Sequence, residues 1–229
     1  MGRCRQRAPG VPCMVGVADA SVAAILTRAP SAGGKSRLFS ALGRPADPSL
    51  LEAMLLDTLD GANAPDVSRV VAVEPAAACD EVRAIVPADV QVLPQAPGTL
   101  GDRMAALMRA LFDRGARAVA LLGSDLPDLQ PRVLATAFDL LAHEPDALVL
   151  GPAADGGYYL IAATAVPPVF DGVEWGSDRV LSATLAAARA RNIKVRFLDV
   201  LRDVDSPADL DAVTARRTAA WHQTHLPND

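Results

Sequence analysis

Short apolar runs alternate with helical patterns along nearly the whole chain, and this restricts the fold more than any other feature. The runs lie at 22–27, 69–73, 90–93, 117–122, 146–151, 157–162 and 195–199. Each is almost wholly apolar, as strands are when a sheet is covered on both faces. Between them, 48–61, 77–85, 99–114, 131–143, 178–191 and 206–219 read as helices, with Asp178 and Ser206-Pro207 as caps at two of the starts. Alternation of this kind predicts an α/β fold, a mostly parallel mixed sheet with helices on both faces. No Gly/Ser-rich or Pro-rich linker and no internal repeat divides the 229 residues. One domain over 21–219 is expected, with a flexible N-terminal extension over 1–20 and a C-terminal tail over 220–229.

Several function classes drop out on composition. Hydrophobic residues make up 51% and charged residues 21%, enough for a packed core. A net charge of −5 argues against nucleic acid as a partner, while leaving room for a local basic pocket. Cys4, Cys13 and Cys79 have no metal-ligand spacing, and their odd number points to a reduced, cytoplasmic setting. His222 and His225 form an H-x-x-H pair that reads as part of the tail rather than as a metal site. The opening MGRCRQR is charged like a signal peptide, but Pro9, Gly10, Pro12, Gly16 and Asp19 interrupt any apolar segment after it, and Met14 offers a second start. No apolar stretch is long enough to span a bilayer.

In open sheets of this sort ligands bind beyond the carboxyl ends of the strands, so the loops there hold the candidate chemistry. The first, Arg28 to Leu38, reads RAPSAGGKSRL. Gly33 and Gly34 let backbone approach an anion, Lys35 supplies a point charge and Arg37 a fork for phosphate oxygens. Lys35 is one of only two lysines against twenty arginines. In the second loop, LLGSDLPDL, Asp125 would end a buried strand and either offer its oxygens to a hard cation or serve as a turn residue; Asp128 is either a site residue or a helix cap before Pro131. The third, GPAADGGYYL, is either a plain hairpin turn or a place where substrate lies on bare backbone facing Asp155. Tyr158 and Tyr159 should split by strand alternation, one toward the core and one toward the cleft. In the fourth, LRDVDSPADL, Ser206 caps a helix and Asp205 would face the same cleft as Asp125. Trp175 either covers the core edge or walls an acceptor pocket.

The first loop resembles a relaxed phosphate-binding P-loop, A-x-x-x-x-G-K-S. Against that stand Ala29 at the first glycine position, Pro30, which has no N–H to donate, and the short helix before Gly43 and Pro45. Taken in order, A-P-x-x-G-x-K-[ST]-R-L, L-G-[DE]-R-M, G-S-D-x-P-D-L, G-P-x-x-D-G-G-Y-Y-L-I and R-D-V-D-[ST]-P-x-D-L resemble a bacterial family of nucleotide-diphospho-sugar-transferase-like proteins, often labelled glycosyltransferases. The resemblance runs from Val22 to Leu210. It implies a single Rossmann-like GT-A domain. More distantly the chain is similar to 2-phospholactate, phosphoenolpyruvate and molybdenum-cofactor guanylyltransferases.

That resemblance implies a set of roles. Ala29, Pro30, Gly33, Gly34, Lys35, Leu100, Gly101 and Arg103 would bind the nucleotide. Asp125 and Asp205 would hold Mg²⁺ or Mn²⁺. Asp155, Gly156, Gly157, Tyr158 and Trp175 would bind the acceptor, and Lys35, Arg37, Asp125 and Asp155 would carry the chemistry. The loop departs from the family pattern in being shorter between Pro30 and Lys35. The expected reaction is nucleotidyl transfer from a nucleoside triphosphate to a small phosphorylated or phosphonate acceptor. The alternatives are glycosyl transfer from a nucleotide-diphospho-sugar, with Asp155 as base, and a non-catalytic nucleotide-binding module. A homodimer is compatible with either enzyme.

Overall fold

The computed structural model describes residues 17–226. Its strands are β1 (Ser21–Arg28), β2 (Val67–Glu74), β3 (Gln91–Pro94), β4 (Ala118–Gly123), β5 (Leu148–Pro152), β6 (Tyr158–Ala163) and β7 (Val195–Phe197). All seven fall on the apolar runs. They form one sheet in the order β3-β2-β1-β4-β6-β5-β7. Pairing is parallel except around β6, which runs antiparallel to both β4 and β5. The reversal has a simple cause: the five residues 153–157 between β5 and β6 are too few for a crossover, so the chain must turn back as a hairpin.

The helices are α1 (Ser36–Ala41), α2 (Pro48–Gly61), α3 (Cys79–Ile85), α4 (Leu100–Phe112), α5 (Pro131–His143), α6 (Val180–Ala190), α7 (Pro207–Asp211) and α8 (Arg216–His225). Strand alternation sends Ala23, Ile25, Val71 and Val73 to one core with Leu55 and Leu59 of α2, Val82 of α3 and Leu134 of α5. The intervening Val22, Ala24, Val70 and Ala72 meet Met104, Met108 and Leu111 of α4 and Ala188 of α6 on the other face. A third, smaller cluster joins Leu38 and Phe39 of α1 and Leu50 and Met54 of α2 to Val204, Leu210 of α7 and Trp221 of α8.

The single helix expected over 206–219 is in fact two. Asp128 accepts from Thr214 N at 3.1 Å and from its hydroxyl at 2.7 Å, drawing the chain out of helical geometry between α7 and α8. Buried Asp57 then accepts from Thr218 N at 2.8 Å and from the Thr218 hydroxyl at 2.9 Å, satisfying the free N–H groups of the first turn of α8. Asp128 is therefore no cap of α5, whose N-cap is Gln130. The segment read as a tail starts inside α8, where Trp221 is buried. His222 meets Asp211 at 2.8 Å and His225 stacks on Trp221 at 4.5 Å, so the H-x-x-H pair serves helix packing. Ser206 caps α7 as expected, but Arg179, not Asp178, caps α6. Cys4, Cys13 and Met14 lie outside the described residues.

Candidate active site

The carboxyl ends of β1, β4 and β5 open onto a cleft of about 600 Å³. Its first wall is the loop after β1. That strand is followed by a 3-10 turn, Pro30–Ala32, then Gly33 at φ 71°, Gly34 at φ 152° and Lys35 at φ 49°. Three successive positive φ values swing the chain across the strand ends and raise Lys35 over the cleft; glycine removes the Cβ penalty at the first two. Lys35 itself takes the left-handed conformation, an uncommon one for a residue with a Cβ. Its Nζ sits 2.5 Å from Asp125 Oδ2 and also pairs with Asp205. Burial alone would lower the lysine pKa, but the two carboxylates outweigh it and the net shift is upward.

Asp125 ends the apolar run of β4 and is fixed through its backbone from two sides. Val204 N donates to the Asp125 carbonyl at 3.2 Å, and Leu126 N donates to buried Thr58 Oγ1 at 3.1 Å. Thr27 at the end of β1 donates to Ser124 at 3.0 Å, tying the two strand ends together. Val204 is buried in the third cluster, and its neighbours Asp203 and Asp205 both line the cleft. In an extended segment residues two apart share a face, so burying Val204 turns both carboxylates toward Asp125.

Asp203 was missed by the sequence reading; the D-x-D spacing beside a buried valine was the signal for it. Oxygens of Asp125, Asp203 and Asp205 lie within 4.8 Å of one another. Burial, then the charges of Asp125 and Asp205, push the Asp203 carboxyl up to about 6 against the opposing pull of Lys35. A cluster whose own charges repel, made of hard oxygen donors, fits a divalent cation.

The second wall comes from the β5–β6 hairpin and the segment before α6. Asp155, Gly157, Tyr158, Trp175 and Ser177 line it. The third loop is thus both a hairpin turn and a cleft wall. Gly156 supports it from behind: its φ is 90°, and a Cβ there would come within 2.2 Å of the Asp178 carbonyl. Alternation sends the tyrosines to different cores, but both line the cleft, so the expected division into one core and one cleft residue is not met. Tyr158 packs edge-on against Trp175 at 6.5 Å, and burial pushes its phenol up. Tyr159 lies in the opposite core with its hydroxyl on the Asp199 carbonyl at 3.1 Å, pushed up to about 12 by burial and Asp199.

Of the residues singled out in the sequence, Lys35, Arg37, Leu100, Asp125, Asp155, Gly157, Tyr158, Tyr159, Trp175 and Asp205 line one cleft. Others stand behind it. Ala29 and Pro30 are buried beneath the loop. Gly101 backs Trp175, whose Nε1 would lie 2.8 Å from a Cβ there. Arg103 donates to the Gly98 carbonyl at 3.0 Å and faces Glu74 at 3.8 Å.

A lysine-bearing glycine turn after the first strand, an acidic cluster beyond the fourth and one reversed strand place the chain among α/β proteins of the nucleotide-diphospho-sugar-transferase type. Its structure matches that of a protein from Desulfovibrio desulfuricans G20 provisionally named a nucleotide-diphospho-sugar transferase, with a TM-score of 0.77, 26% identity and coverage of 90% of this chain and 96% of that one. The family described as uncharacterized protein conserved in bacteria (DUF2064) matches residues 58–177, and the chain belongs to that family. The chain is also 32% identical over 209 residues to the 3-phospho-D-glycerate guanylyltransferase of Phenylobacterium zucineum (strain HLK1), covering 86% of this chain and 93% of that protein. CMP:2-keto-3-deoxy-manno-octonic acid synthetase, solved with CTP, shares the fold at a TM-score of 0.56 and 16% identity. No helix among the described residues is long and apolar enough to cross a membrane.

Proposed function

We propose that the chain is a metal-dependent nucleotidyltransferase. It moves a nucleoside monophosphate from a nucleoside triphosphate to a small phosphorylated or phosphonate acceptor and releases pyrophosphate. One observation carries the reading: Lys35, raised by the glycine turn, sits against Asp125 and Asp205 at the strand ends. A phosphate-binding cation and a metal-binding carboxylate set are thereby brought to one point. The guanylyltransferase relative supports the same reaction class.

Asp125, Asp203 and Asp205 would hold the cation, Mg²⁺ or Mn²⁺, which when bound neutralises phosphate charge. Lys35 and Arg37 hold the triphosphate oxygens, and the Gly33-Gly34 turn lets the chain pass close to them. The nucleoside lies toward Leu100 at the start of α4, with Gly101 and Arg103 behind. Asp155, Gly157, Tyr158 and Trp175 hold the acceptor so that its oxygen faces the α-phosphorus. A new P–O bond forms there, and the bond to the β-phosphate breaks with its electron pair going to pyrophosphate. The working unit is the single domain, acting in the cytoplasm as a monomer or homodimer, without nucleic acid.

The test is acceptor-dependent pyrophosphate release from a panel of nucleoside triphosphates with Mg²⁺ or Mn²⁺, lost in Lys35→Ala and Asp125→Ala. Release of a nucleoside diphosphate from UDP- or GDP-sugars, with no pyrophosphate from any triphosphate, would replace this reading by glycosyl transfer.

A further inference from the structure

If the cleft takes a triphosphate and a phosphorylated acceptor, as proposed above, the charges on its two walls narrow the acceptor further. The described residues bring two cations to the cleft, Lys35 and Arg37, and four carboxylates, Asp125, Asp155, Asp203 and Asp205. Lys35 is already shared between Asp125, Asp205 and the triphosphate oxygens assigned to it above. Arg37 is exposed and has no ion-pair or hydrogen-bond partner among the described residues, so it is the guanidinium left for phosphate oxygens.

Among the described residues, the opposite wall carries no cation. It presents Tyr158, Trp175, Val180 and Ser177, with Asp155 exposed at its edge. Asp155 Oδ1 accepts from Gly157 N at 2.9 Å, and among the described residues no bond engages the second oxygen. The nearby Arg179 does not line the cleft and is held by Glu174 at 2.5 Å. A carboxylate or second phosphate on the body of an acceptor would there lose water to Trp175 and be repelled by Asp155, with no cation on that wall to pair with it. An ammonium would meet the reverse: a carboxylate partner in Asp155, with the aromatic side chains of Trp175 and Tyr158 on the same wall.

We propose that the acceptor is a small phosphate or phosphonate monoester whose body carries no second anion. Its body presents a hydrogen-bond donor, best an ammonium, to Asp155, and its carbon skeleton rests on Trp175 and Tyr158.

The experiment uses the full chain with Mg²⁺ and each nucleoside triphosphate in α,β-methylene form. Phosphoethanolamine and 3-phospho-D-glycerate are titrated by calorimetry and by tryptophan fluorescence. Phosphoethanolamine should bind about tenfold tighter or more. Asp155→Asn should shrink that preference about tenfold and Asp155→Lys should reverse it. Equal or tighter binding of 3-phospho-D-glycerate by the wild type overturns the proposal. So does failure of both esters to bind, or a preference that neither Asp155 variant moves. Pyrophosphate release is followed in parallel: the binding preference without turnover would refute nucleotidyl transfer and leave the acceptor assignment standing.

Discussion

Replacing Asp203 by asparagine should make the metal-free protein more stable, and only above a defined pH. Asp203 shares a 4.8 Å neighbourhood with Asp125 and Asp205, and its carboxyl is pushed up to about 6, chiefly by burial and then by those two charges. The sign follows from linkage. A carboxyl that holds its proton more tightly when folded contributes stability fully below its unfolded value of about 3.9, and that contribution is lost as pH rises through about 6. A displacement of roughly two pH units corresponds to about 3 kcal/mol at most. Asp203 is only partly buried, so screening reduces this to about 1–2 kcal/mol. In a domain of this size that is a rise in Tm of about 3–6 °C. Thermal melts of wild type and Asp203→Asn in EDTA should therefore coincide near pH 4 and separate to that extent by pH 8. Millimolar Mg²⁺ should close or invert the gap, because the cation stabilises only the intact carboxylate set. A gap independent of pH, or an asparagine variant less stable at pH 8 without metal, would refute the argument.

Three further outcomes are expected. Lys35→Ala should cost about 10²–10³-fold in kcat/KM for pyrophosphate release, since it removes a charge aimed at the phosphates; a melt within a few degrees of wild type must accompany the loss. Gly156→Ala should lower stability by about 1–3 kcal/mol, because φ 90° is strained for alanine and its Cβ would meet the Asp178 carbonyl at 2.2 Å; an unchanged urea midpoint would contradict this. Asp57→Ala should cost about 2–4 kcal/mol by leaving Thr218 N and Oγ1 and the Arg217 guanidinium, 3.0 Å away, without their buried partner. Chemical denaturation measures it, and a loss below 1 kcal/mol would show that water replaces the carboxylate.

Much of the architecture was legible because the rules involved are local. Asp47 and Pro48 mark the start of α2, and the Asp47 side chain accepts from Ser49 N at 2.9 Å. The apolar runs marked all seven strands, the inner five because a strand covered on both faces needs apolar residues on both; the edge strands β3 and β7 are only partly covered. The reversal of β6 against β5 was legible in the five-residue connection at 153–157, too short for a crossover, whereas its pairing with β4 was not, since an apolar run does not name its neighbour. The break between α7 and α8 was hidden too. It depends on Asp128 and Asp57, 86 and 161 residues from the threonines they bind, whereas the local sequence continues to favour helix.

The site divides along the same line. Lys35 beside two glycines and Asp125 at the end of an apolar strand were visible because special backbone and strand ends leave a mark in the sequence. By itself the sequence determined the strand–helix alternation, the loops that carry the chemistry and the residue types placed in them. Only the tertiary structure brought Asp203 and Asp205 to Asp125, through the burial of Val204 and its bond to the Asp125 carbonyl. Likewise it put Gly101 behind Trp175 rather than on the cleft surface. Backbone preference acts over a few residues, whereas charge repulsion, pocket shape and the partner of a buried group depend on segments that meet only when the chain closes on its core.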